Sequence, residues 1–153
     1  MFGKSISDYL RFQQVILVAV AVVGLLRLGL SLAGVPDAAV AWLSMTVVTW
    51  AAAVYYGVAV YRYGFGGYRQ ILPLVFFQMI VQQAIAVIGI MTAIAGFPNV
   101  YAAPEFTRGT SNQWLHALAH LTVGIVAPTL LMWGAGSLAL AVTRRLARRE
   151  AVA

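Results

Sequence analysis

"QVILVAVAVVGLLRLGLSLAG", Gln14 to Gly34, carries a single charge, Arg27, in an otherwise apolar run. A helix of about 20 such residues crosses a hydrocarbon core roughly 30 Å thick. Three further stretches read the same way: about Ala38 to Tyr61, Gln70 to Gly96, and Trp114 to Thr143. The first is joined to the second by a tight Gly34-Val35-Pro36-Asp37 turn, with Asp37 placed to cap the second helix. Pro73 falls in the first turn of the third stretch, where proline is tolerated. Pro128 falls inside the fourth and predicts a kink.

Composition supports the same class. The chain is 62% hydrophobic and 9% charged, against about 25% charged in a soluble domain. Too little charge is available to cover a water-facing exterior, so the exterior faces lipid. Backbone groups in lipid must be satisfied internally, and a closed barrel would need alternating strands and more turns. The expected fold is therefore an all-α, four-transmembrane-helix bundle forming one domain over residues 1–153. No internal repeat or second domain is visible.

The N-terminus invites comparison with a signal peptide: Lys4 and Arg11 precede the apolar run, and Ser31-Leu32-Ala33 loosely fits a cleavage site. The length of the run and the interruption at Arg27 favour a retained first helix instead. Cysteine is absent, which excludes disulfides, thiolate metal sites, cysteine nucleophiles and a lipoprotein anchor.

The net charge is +6, and much of it sits in Arg144, Arg145, Arg148 and Arg149 at one end. That clustering reads as an orientation signal and an attraction to anionic lipid headgroups, not as a nucleic-acid surface. Lys4, Arg11, Arg62 and Arg69 fall on the same side, whereas the other side has only Arg108 with Asp37 and Glu105. Both termini and the Tyr61–Gln70 loop are then cytoplasmic, in a membrane of the bacterial inner type. The Gly96–Trp114 segment faces outward.

Polar side chains at membrane depth are costly and mark a bundle interior or a site. Each span has one polar stripe: Arg27 and Ser31; Thr46, Thr49 and Trp50; Gln78, Gln82 and Gln83; His116 and His120, continued by Gly124. Counting at 1.5 Å per residue, Arg27 lies roughly 10 Å below Gly34, and His120 roughly 9 Å below Trp114. Met45, Thr46, Met91 and Thr92 fall at a similar level, with the glutamines deeper. This predicts a polar cavity in the outer half of the bundle, roofed by the long loop. Its ligand-binding residues would be Arg27, Thr46, Gln82, His116 and His120. Plainer roles compete: an interfacial histidine for His116, a structural hydrogen bond for His120, interhelical hydrogen bonds for the glutamines, and close packing for Gly24, Gly29, Gly89 and Gly124. The tyrosines from Tyr55 to Tyr68 read as an aromatic belt.

Residues four apart share a helix face, so His116 and His120 can hold one metal ion. The metalloprotease signature needs Glu after the first His, where this chain has Ala117. Glu105, Asp37 or water could complete a zinc site, and Met45 or Met91 a copper site. Haem b is the other cofactor considered. Two histidines on one face cannot straddle it, so His120 would pair with a Met or act alone, with Arg27 on a propionate. A lipid, quinone or small anion is the non-metal choice. No Asp or Glu lies within a span, which weakens carboxylate-based proton coupling, and nothing resembles a Ser-His-acid set or a phosphate loop. The chemistry leans away from an enzyme. The rival is a non-catalytic subunit or anchor of a larger membrane complex, or a homo-oligomer.

Overall fold

A computed structural model describes residues 1–102 and 110–151, leaving aside the side chains of Thr110 and Ser111. Among these residues all regular structure is helical: α1 (Ile6–Leu32), α2 (Asp37–Val40), α3 (Met45–Arg62), α4 (Tyr68–Ile94), α5 (Thr110–Leu121) and α6 (Val123–Glu150). They make four stretches long and apolar enough to cross a membrane, Ile6–Leu32, Asp37–Arg62, Tyr68–Ile94 and Asn112–Glu150. The chain is an integral membrane four-helix bundle.

The helix ends differ from the sequence expectation for local reasons. α1 starts two turns before the apolar run because Ser5 and Asp8 close a capping box: Asp8 N–H donates to Ser5 Oγ (3.1 Å) and Ser5 N–H to Asp8 Oδ2 (2.8 Å). The added turns bury Tyr9 and Gln13. At the other end Gly34 takes φ +82°, a left-handed conformation that ends the helix without a Cβ penalty.

The second span is split. A four-residue α2 is followed by exposed Trp42 and a new start at Met45, capped by Ser44 Oγ accepting from Val47 N–H (3.4 Å). Asp37 does not cap: Pro36 occupies the N-cap, Asp37 is the first helical residue, and its carboxylate pairs with Arg27.

The fourth span breaks at Thr122 instead of at Pro128. Proline distorts the turn before it, since it cannot donate to the carbonyl four residues back and its ring crowds that carbonyl. Here that carbonyl belongs to Gly124. Thr122 adds to the break by donating Oγ1–H to the Leu118 carbonyl (2.8 Å), a back-bond that bends helices.

α6 packs on α3 and α4, α1 on α4 and α3, and α5 on α4. The α3–α6 crossing is close enough that a Cβ on Gly57 would stand 2.2 Å from the Gly136 carbonyl oxygen. Of the glycines expected to permit packing, Gly29 has open space around it and serves no such contact. The core is built from Tyr9, Tyr56, Ile71, Leu74, Met79, Met132 and Leu140. Val15, Val18, Leu131 and Leu138 point outward, as a lipid-facing surface requires.

One end of the bundle gathers the N-terminus, the α3–α4 turn and the end of α6. Tyr9 meets Phe65 edge-on at 5.4 Å, Gln70 Nε2 donates to the Phe2 carbonyl (2.8 Å), and Arg144 lies over Tyr68.

Candidate functional site

The residues expected to converge fall into three groups. Arg27 is the first. Its Nη2 pairs with Asp37 Oδ1 at 2.6 Å and its Nη1 donates to the Leu43 carbonyl at 3.2 Å. It thereby ties α1 to the connection between α2 and α3. Next to it, residues after α4 fold back into the groove between α1 and α4. Tyr101 Oη–H donates to the Gly24 carbonyl (3.2 Å), Asn99 Nδ2 to the Gly89 carbonyl (2.8 Å), and Val100 N–H to Ser31 Oγ (2.9 Å). The Tyr101 ring covers Gly89, where a Cβ would meet it at 2.4 Å. Burial pushes the Tyr101 hydroxyl above the usual tyrosine range, and the Arg27 charge pulls it partly back.

The second group is a hydrogen-bonded set between α3 and α4. Thr49 Oγ1–H contacts Gln82 Oε1 (3.0 Å) and the Thr46 carbonyl (3.1 Å), and Gln78 Nε2 donates to the Thr49 carbonyl (3.1 Å). Thr46 contributes through its backbone and is itself exposed. Met45 is buried in an apolar cluster with Val20 and Ile85. A Cβ on Gly24 would stand 2.2 Å from its sulfur, so the thioether is seated against α1.

The third group holds both histidines. His120 Nδ1 is 2.5 Å from Gln83 Oε1, and His120 Nε2 is 3.1 Å from His116 Nε2. Gln83 Nε2 in turn donates to the Gly124 carbonyl at 2.8 Å. The direction of this chain follows from the backbone. Gly124 offers only an acceptor, and Pro128 cannot supply the usual helical donor, so the Gln83 amide must present its NH₂ there. Its oxygen then faces His120, which must carry its proton on Nδ1. In the neutral ring Nε2 is left as an acceptor, and His116 donates from Nε2. Gln83 is buried, and both histidines are half-buried.

Two clefts flank the pair: one of about 280 Å³ lined by Asn112, Leu115, His116 and Ala119, the other of about 200 Å³ lined by His116, Ala119, His120, Val123 and Gly124. Among the described residues, their lining comes from α5 and α6. Among the described residues no group of three or more His, Asp or Glu could hold a metal ion. Glu105 and Arg108 lie outside the described residues.

The level match expected between Arg27 and His120 does not survive the observed helix ends. α5 begins at Thr110, which puts His120 roughly 15 Å in, and Arg27 is roughly 7 Å from the end of α1 at Leu32. Gln83 is roughly 16 Å from the end of α4 at Ile94, level with His120. The residue that sequence reasoning passed over is therefore Gln83, chosen against in favour of its neighbour Gln82. The usable signal was Pro128, which leaves the Gly124 carbonyl in want of a donor from another helix. Comparison with known proteins finds no matching family model, no matching curated protein and no matching solved structure.

Proposed function

We propose that this membrane four-helix protein binds one divalent late first-row metal ion, such as Cu²⁺ or Zn²⁺, through Nε2 of His116 and His120. The observation that carries the reading is the approach of those two nitrogens. At 3.1 Å apart, and each about 2.05 Å from an ion, they subtend about 98° at it, between tetrahedral and octahedral values. The Gln83 carbonyl on His120 Nδ1–H is the kind of outer partner that orients metal-bound imidazoles. Binding requires the His116 proton to leave Nε2, so that both Nε2 lone pairs face the ion. Two protein ligands leave the remaining positions to water or an exchangeable ligand, which suits capture or transfer better than a closed structural site.

Haem is less well supported, because His120 Nε2 points at His116 on the same helix. The positive residues support an orientation with both termini cytoplasmic and the α4–α5 segment outward.

The test is Cu²⁺ titration of purified, metal-stripped protein in detergent, followed by electron paramagnetic resonance. One Cu²⁺ per chain with hyperfine coupling to two nitrogens is expected, and His120→Ala should abolish it. Affinity should fall on acidification, since only the neutral imidazole ligates. Wild type binding no more copper than a His116→Ala/His120→Ala variant would sink the reading. A second reading, that the same chain only staples the α5–α6 break to α4, is favoured by the bonds Gln83 makes from both ends of its amide and would then stand.

A further inference from the structure

At the opposite end of α6 a cleft of about 220 Å³ is lined by Tyr68, Ala141, Arg144, Arg145 and Arg148. Three arginines meet here for a reason of spacing. Arg144 and Arg148 are four apart and share a helix face, with Arg145 beside them. Ala141, one turn earlier, keeps the floor low. Tyr68 comes from the first turn of α4, and the Arg144 guanidinium sits 5.0 Å from its ring centroid. Trp133 fixes Tyr68 from below by donating Nε1–H to its carbonyl at 2.8 Å. Gly67 lies beside it, where a Cβ would stand 3.4 Å from Arg144 Nη2, an ordinary contact.

Among the described residues, none of these charges has a carboxylate partner. The one ion pair among the described residues is Arg27–Asp37, so no carboxylate among them neutralises Arg144, Arg145 or Arg148. Three guanidiniums around one cleft repel one another until an anion enters. The anion that best matches several planar N–H forks is a phosphate group, whose oxygens accept bidentate bonds. Apolar surface continues directly from the cleft towards the bundle centre, with Leu138 and Val142 exposed on α6. A ligand with a phosphate head and an acyl tail therefore fits both parts.

We propose that this cleft is a specific site for the phosphate of an anionic phospholipid, its tails lying along α6 at Leu138. The site is independent of the histidine pair and is chemically distinct from general attraction to a charged membrane.

Native mass spectrometry of delipidated protein, titrated with phosphatidylglycerol or phosphatidylcholine, tests it. Wild type should take up one phosphatidylglycerol in preference to phosphatidylcholine. Arg144→Gln/Arg148→Gln should weaken that binding about thirty-fold, at roughly fivefold per arginine. Arg62→Gln/Arg149→Gln removes two charges outside the cleft and should leave it within about twofold. Displacement of the lipid by millimolar inorganic phosphate would retain the phosphate site and assign it to a soluble anion. Equal loss in the two double variants, or equal uptake of both lipids by wild type, would overturn the proposal.

Discussion

At the scale of single residues, Gln83 bonds in two directions at once. It satisfies a carbonyl that Pro128 leaves without a helical donor, and through the same amide it selects the tautomer of His120. Gln83→Leu removes both bonds and leaves the Gly124 carbonyl without a donor, at a cost of about 1–3 kcal/mol. Thermal unfolding in detergent should register that loss. Copper affinity should also drop by about 10–100-fold, as for other outer partners of metal-bound histidines. Gln82→Leu breaks only the Thr49 contact and should leave copper affinity unchanged. Equal effects of the two substitutions on copper would remove Gln83 from its assigned role. Asp37 behaves differently. Its side chain is 57% exposed, so solvent screens the short contact with Arg27. Asp37→Asn should cost no more than about 1 kcal/mol, and Arg27 retains the Leu43 carbonyl. A larger loss in thermal unfolding would mean the pair is less screened than its exposure implies.

At the scale of helices, the α3–α6 crossing brings backbone against backbone and depends on missing side chains. A methyl on Gly57 would meet the Gly136 carbonyl oxygen at 2.2 Å and the Leu140 nitrogen at 2.8 Å, both backbone atoms that cannot swing aside. Gly57→Ala should therefore push the helices apart and destabilise by about 1–3 kcal/mol or more. Gly134 lies on the same helix as Gly136 with open space around its Cβ position. Gly134→Ala should be neutral or stabilise by about 0.5–1 kcal/mol, because alanine loses less backbone entropy in a helix. Equal unfolding temperatures for the two variants would refute this account of the crossing.

At the scale of the whole molecule, four spans place the α3–α4 turn and the residues after α4 on opposite sides of the membrane. The chain has no cysteine, so single introduced cysteines report cleanly. Tyr63 is 70% exposed in that turn and Phe97 is 63% exposed after α4. A membrane-impermeant thiol reagent added outside intact cells should label Phe97→Cys and spare Tyr63→Cys. The reverse pattern would invert the orientation inferred from the arginines, and labelling of both would contradict four spans.

The number and apolar character of the spans were legible in the sequence because bilayer thickness sets a length that each run must meet. The polar residues worth watching were legible too, since their cost in lipid singles them out. Their partners were not. Arg27 and His120 were matched by counting from expected helix ends at Gly34 and Trp114, whereas α1 ends at Leu32 before the left-handed Gly34 and α5 already starts at Thr110. Those shifts of several residues separate the two by roughly a turn and a half along the membrane normal. The choice between Gln82 and Gln83 was likewise beyond the pattern. Adjacent helical residues point about 100° apart, and only the packing of α4 between α3 and α5 decides which amide meets Thr49 and which meets His120. Span positions follow from properties of one segment at a time, so a sequence determines them by itself. A site depends on rotation and register between segments distant in the chain, and those are settled only when the helices pack.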